Sequence, residues 1–288
     1  NNLQSAVKCY VKAVNFSYVS NRVPEQFHYH DNTDLMLAVG KAFENTTQIE
    51  NHLEKAVVFY RYALKQYKPS ALKAIQRIAE QQIASAQYVL AIDYYHPRND
   101  LLTAAKYCMC AAANEHTDAQ NYLETTHFNA KNCYLIAQYY HEGILVKKNP
   151  KQTVSFYEKS AKQGNVDALY ALAQFYQTDH GAIQRNHEKA WRYAHEAIKQ
   201  KNMKALVILE QLAHDAVPDK KYQLALLYEK MNNQQEKSSF WMEQAAQEGH
   251  ELAQKRIDQK QNTYDIKNPY RIVLNNLDSQ AADRKSVV

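Results

Sequence analysis

Glycine and proline are scarce: the 288 residues hold five of the first and six of the second. An all-β fold needs turn glycines at its reversals, so this scarcity points to helices joined by short loops. Nearly every proline (24, 69, 97, 150, 218, 269) falls between apolar-periodic segments, where a residue without an N–H punctuates helices. No apolar run reaches the roughly 18 residues of a spanning helix. No signal peptide is visible. The chain opens Asn1-Asn2 without Met, which reads as a processed or trimmed product and leaves room for a leader already removed. Charge of one sign is not concentrated either. The formal charge is +5 and the pI near 8.8, with Lys and Arg scattered beside Glu and Gln. A nucleic-acid footprint shows clustering, so nucleic acid is not an expected partner.

The motifs of catalysis are missing as well. There is no Gly-rich phosphate loop, no G-x-S-x-G elbow and no H-E-x-x-H. Acidic residues are dispersed, whereas an enzyme hidden in a groove predicts a cluster of perturbed acids. The four cysteines, Cys9, Cys108, Cys110 and Cys133, lack the spacing of a disulfide framework. They are expected as small buried core residues with reduced thiols, Cys108 and Cys110 on different faces of one helix. Of twelve histidines only His28 and His30, beside Asp31 and near Asp34, form a tight cluster. It sits in a connector without a Cys pair, short of a tetrahedral ligand set. His187 and His195 are expected to face solvent. The sequence therefore predicts a non-catalytic protein with no cofactor and no metal.

What is present is a repeat. Residues 167–200 hold one complete unit: Tyr170-x-Leu172-Ala173-x-x-Tyr176, a loop with Gly181, then Asn186-x-x-Lys189-Ala190 opening a second helix through Trp191, Tyr193, Ala194 and Ala197. The first-helix signature recurs as Leu37-x-Val39-Gly40-x-x-Phe43, Tyr88-x-Leu90-Ala91-x-x-Tyr94, Tyr134-x-Ile136-Ala137-x-x-Tyr140 and Tyr222-x-Leu224-Ala225-x-x-Tyr228. Second helices centre on 56–63, 104–111, 153–160, 190–197 and 238–245. Shorter third helices are expected at 71–81, 119–125, 204–214 and 252–259. They explain the uneven intervals between motif tyrosines. Asn149 before Pro150 predicts an N-cap and N1 pair, and Asp100 and Asn186 predict caps. The small residue of each first helix (Gly40, Ala91, Ala137, Ala173, Ala225) lets the second helix approach closely. Two helices per unit at a period in the thirties to forties predict an all-α, right-handed α-α superhelical solenoid with extra short helices. Its expected span is 33–261. Residues 1–32 read as a partial repeat or capping helix plus connector. Residues 262–288 read as a tail that docks in part through Ile272, Val273 and Leu274.

The pattern of residues 168–197, with Lys237-Ser238-x-x-Trp241-x-x-x-Ala245-Ala246-x-x-Gly249 and Tyr157-x-x-Ser160-Ala161-x-x-Gly164, resembles a Sel1-like repeat, strongly from about Ser85 to Ala253. The variable period separates it from the strict 34-residue tetratricopeptide repeat. The resemblance implies an adaptor that binds a protein or peptide on a concave face lined by first helices. On those helices Tyr88, Ile92 and Tyr95 lie on a different face from Leu90 and Tyr94. The matching positions are Tyr134 and Gln138, Tyr170 and Gln174, Tyr222 and Leu226. A ladder of stiff tyrosines with hydrogen-bonding tips is the expected partner surface; packing against the next repeat is the competing role. The resemblance also implies a bacterial host-interaction role, secreted or cytoplasmic, or else assembly of an envelope or membrane-associated complex.

Overall fold

A computed structural model of the protein describes residues 33–231 and 234–267, together with Lys8 and Cys9. The proposed capping helix at 4–17 (Lys8 and Cys9 apart), the cluster of His28, His30 and Asp31, and the docking residues Ile272 to Leu274 lie outside the described residues.

Among the described residues all regular structure is helical, with no strand. Four first helices pack on the second helices that follow them. The first pair is α1 (Thr33–Glu44) with α2 (His52–Lys65), followed by an extra helix α3 (Pro69–Glu80). Next come α4 (Ala84–Val89), prolonged by a π-helical turn over Leu90–Tyr95, and α5 (Leu101–Ala113), then the extra α6 (Thr117–Thr125). The third pair is α7 (Ala130–Glu142) with α8 (Pro150–Lys162), and α9 (Val166–Phe175) and α10 (His187–Lys199) follow along the chain. The extra α11 (Leu206–Ala213) precedes the last pair, α12 (Pro218–Glu229) with α13 (Gln235–Gln247), and α14 (Glu251–Lys267) closes the described chain. The chain divides into two compact units, residues 1–172 with 179–184, and residues 173–178 with 185–288. Each is a helix–loop–helix array.

The helix starts follow from the caps. Asp100, Asn149 and Asn186 each accept a hydrogen bond from the backbone N–H three residues on, at 3.1, 3.2 and 2.9 Å. Asn129 does the same for α7 at 2.8 Å, a cap the repeat pattern did not single out. Pro69, Pro150 and Pro218 take the first helical position, where a missing N–H costs nothing.

The pairs close as the small residues predict. Val39, Phe43, Leu90, Ala91, Ile136, Ala137, Leu172, Ala173, Leu224 and Ala225 are wholly buried. A Cβ on Gly40 would meet the Tyr60 ring at 2.7 Å, so α2 lies where only hydrogen fits. Where the second helix carries a hydroxyl instead of alanine, the hydroxyl is satisfied: Ser160 Oγ donates to the Ala130 carbonyl at 2.6 Å, and Ser238 Oγ to the Ala225 carbonyl at 3.0 Å.

One pair departs from the predicted register. Phe43 stacks on Phe59, Tyr140 on Phe156 and Tyr176 on Tyr193, with ring centroids 5.5, 6.0 and 5.9 Å apart. Tyr94 was the expected counterpart in the second pair. Instead Tyr95 stacks on Tyr107 at 5.3 Å, and Tyr94 stands edge-on to Tyr95 with the Arg98 guanidinium 3.8 Å above its ring. The π turn inserts one residue, so the ring that reaches the second helix is the next one along. Asp93, in the same turn, forms an ion pair with Arg61 of α2. Tyr95 therefore belongs to pair closure and not to the outer face.

The joints between pairs share a second pattern. Tyr67, Gln82, Glu115, Gly164, Lys201 and Gly249 all take the left-handed conformation, with φ from 58 to 91°. The next residue caps a new helix, and the alanine three positions after that cap (Ala71, Ala86, Ala119, Ala168, Ala205, Ala253) is wholly buried. Two other expectations need correction. Cys108 and Cys133 are buried, but Cys110 is half-buried and Cys9 exposed. His187 is exposed as expected, whereas His195 is half-buried, and that burial is the main force lowering its pKa.

Candidate interaction surface

The ladder tyrosines stand two residues before each core pair. Helical geometry turns that position away from the face that buries Leu90-Ala91 or Ile136-Ala137. Tyr88, Ile92, Tyr134, Gln138 and Tyr170 of the first unit are half-buried. In the second unit Gln174 is exposed, and Tyr222 and Leu226 are half-buried. No ladder residue is as deeply enclosed as the pair cores.

Their ring contacts show what supports them. Tyr88 stacks on His116, centroids 4.5 Å apart and planes 28° from parallel. Tyr222 stacks on His250 in nearly the same way, at 4.3 Å and 27°. Tyr134 leans on Tyr157 of α8 at 5.5 Å, and the Gln138 amide reaches its hydroxyl at 3.5 Å. Ile92 sits inside the π turn, so its place on the face differs from that of Gln138.

His116 and His250 are the residues that the repeat pattern missed. Each follows a left-handed residue, and its Nδ1 accepts the backbone N–H of the buried alanine, Ala119 at 3.3 Å and Ala253 at 3.1 Å. Asn165 fills the same position with its Oδ1, accepting from Asp167 and Ala168. The signal in the sequence is a capping residue three before an alanine, directly after a second helix. His250 Nε2 lies 3.2 Å from an Asp219 carboxylate oxygen. With Nδ1 accepting from Ala253, Nε2 is the ring nitrogen that faces the carboxylate. Burial pulls the His116 pKa down, against a smaller upward pull from Asp118. Burial also raises the Tyr88 and Tyr134 hydroxyls, which therefore remain donors at neutral pH.

Among the described residues no three His, Cys, Asp or Glu side chains converge as metal ligands. Asp34 is 3.2 Å from Lys68 in an exposed ion pair. No helix of the described residues is long and apolar enough to cross a membrane.

The family model of the Sel1 repeat matches residues 133–165, 166–202 and 222–250. The chain carries Sel1 repeats. The first matched Sel1 repeat runs from Cys133 in α7 to Asn165, the second through α9 and α10, and the third from Tyr222 to His250. The pair containing the π turn precedes the first match. Among solved structures, a protective antigen of uropathogenic Escherichia coli with an SLR fold is 18% identical over 77% of this chain and 62% of its own, with a TM-score of 0.24. This chain thus spans less than two thirds of that protein. A Sel1 repeat protein from Oxalobacter formigenes is 19% identical over 88% of this chain and 82% of its own, with a TM-score of 0.27. No curated protein matches. The Sel1 array is an architecture of non-catalytic protein–protein interaction scaffolds.

Proposed function

We propose that the protein is an adaptor that holds a protein or peptide partner on the face carrying Tyr88, Tyr134 and Tyr170, with Tyr222 and Leu226 as the corresponding positions of the second unit. One observation supports this above others. The pairs are closed by a different set of residues, wholly buried, while the ladder tyrosines remain half-buried beside it. They offer large, stiff area and hydrogen-bonding hydroxyls, at little conformational cost on binding. The biological setting we favour is a bacterial host-interaction role, on the compositional ground of many Lys, Asn, Gln and Tyr. Assembly of an envelope or membrane-associated complex is the competing role.

The test is a pull-down with the intact protein against a Tyr134→Ala/Tyr170→Ala variant, using lysates of the source organism and of a host. The reading expects a partner captured by the wild type and lost by the variant. Removing the Tyr134–Tyr157 contact should cost about 1 kcal/mol of stability beyond the area that the half-buried ring covers. Tyr134→Phe keeps the ring contact and removes the hydroxyl, which separates packing from recognition. A large fall in melting temperature with capture intact would make these tyrosines core residues and sink the proposal.

A further inference from the structure

A second site stands apart from the tyrosine ladder. A cleft of about 620 Å³ opens in the first unit between the end of α5, the extra helix α6 and the loop that joins α7 to α8. Its volume lies within the range of sites that take small ligands or short peptides. Met109, Leu123 and Val146 supply an apolar floor, and all three are buried. The rim is different. Lys147 and Lys148 line it, faced by one carboxylate, Glu124. Among the described residues neither lysine forms an ion pair, so the rim keeps its positive charge uncompensated apart from Glu124.

The loop backbone adds an independent sign. Leu145 lines the cleft with φ at 70°, a left-handed conformation that costs a branched side chain on the order of 1–2 kcal/mol. Leu145 is 53% exposed and its neighbour Ile144 46% exposed. A strained residue that presents an apolar side chain to solvent at the mouth of a cleft suits a contact made with something else.

We propose that this cleft binds a short acidic peptide segment of a partner protein. An apolar residue of the peptide would enter over Met109 and Leu123 and against Leu145. Its carboxylates would pair with Lys147 and Lys148. The site does not depend on the tyrosine ladder and would survive that reading's failure. The excess of unpaired positive charge selects an acidic segment over a basic one, since a like-charged peptide would meet two lysines with a single compensating acid.

Two fluorescein-labelled peptides test this, one of alternating Glu and Leu and one of alternating Lys and Leu, titrated against the full chain by anisotropy. The proposal expects the acidic peptide to bind and the basic one not to. Binding should weaken with salt, because the rim lysines are exposed. Lys147→Glu/Lys148→Glu should lower the affinity by at least about tenfold. Leu145→Gly relieves the backbone, so it should keep or raise the melting temperature while weakening the peptide. Tyr134→Ala/Tyr170→Ala should leave this binding unchanged. Equal binding of both peptides, or acidic-peptide binding unaffected by charge reversal and by Leu145→Gly, overturns the proposal. So does the absence of binding by either peptide at low salt.

Discussion

Two neighbouring pairs of the first unit carry one aromatic signature and close it in two ways. In α7/α8 the motif ring Tyr140 stacks on Phe156, six residues after the ladder residue Tyr134, and Gly143 ends the helix in a left-handed turn. In α4/α5 the same role falls to Tyr95, seven residues after Tyr88, because a π turn absorbs the extra position. The second helix thus selects a ring at a place in space, not a residue at a count along the chain. The joints that follow differ in parallel. The slipped pair ends in Glu115-His116, the regular pair in Gly164-Asn165, and both seat a buried alanine three residues after the cap.

The sharpest way to break this comparison is to delete one residue from each first helix. Removing Tyr94 lets the helix run in α register and brings Tyr95 to the position six after Tyr88. The loss should stay within about 1 kcal/mol, chiefly the Asp93–Arg61 pair being disturbed. Removing Tyr139 rotates Tyr140 out of its stack and moves Gly143 off its turn. That should cost roughly 3–5 kcal/mol, the scale of losing a buried aromatic. Urea denaturation midpoints of the two deletions read the difference. Equal losses would mean that the π turn is not a one-residue insertion in an otherwise common pair.

That slip also marks where the sequence stops being legible. The helix pairs, their small residues, the four extra helices and the caps at Asp100, Asn149 and Asn186 could all be read from spacing, since each rests on local periodicity and side-chain chemistry. Tyr94 matched the spacing and still misled, because adjacent tyrosines at 94 and 95 offer either ring to Tyr107 and only packing decides between them. His195 misled for a related reason: a polar side chain on a second helix can be covered by whatever packs next, which lies outside its own segment. The role of His116 and His250 needed the left-handed residue before each of them, and only Gly249 announces such a residue in sequence. Glu115, like Gln82 and Lys201, adopts that backbone without any compositional cue.

Exchanging those joint residues sharpens the comparison at a smaller scale. Gly164 has φ at 85°, and a Cβ there would meet nothing within 4 Å. Gly164→Ala should therefore cost only the backbone preference, about 1–2 kcal/mol. Glu115→Gly at the slipped pair should run the other way. It relieves the left-handed strain but adds freedom to the unfolded chain, for a net gain of at most about 1 kcal/mol. Thermal melts of the two variants, expected to shift in opposite directions, check the pair. A fall for both would assign Glu115 a contact that outweighs its backbone.

The smallest effect lies in the caps and separates the two joints by pH. Asn165 holds its helix with an amide oxygen that does not titrate. His116 holds α6 with the Nδ1 lone pair, which a proton would occupy. Burial, Asp118, Arg61 and the stacked Tyr88 ring set the environment of His116, and burial dominates, so its folded pKa lies below the unfolded value. The unfolded chain then binds the proton more readily. Stability from this cap is present above about pH 6.5 and is lost as pH falls below it toward the folded pKa. The amount is the worth of a helix cap, about 1 kcal/mol. His141 and His195 are also depressed by burial and add to the global slope, so a local readout is needed. Amide exchange at Ala119 should accelerate, relative to Ala168, as pH falls from 7.5 to about 5.5, after correction for intrinsic rates. His116→Asn should abolish that difference, because it makes the slipped joint chemically equal to the regular one. A difference that persists in His116→Asn would place the proton elsewhere in the joint, with Asp118 as the nearest group to examine.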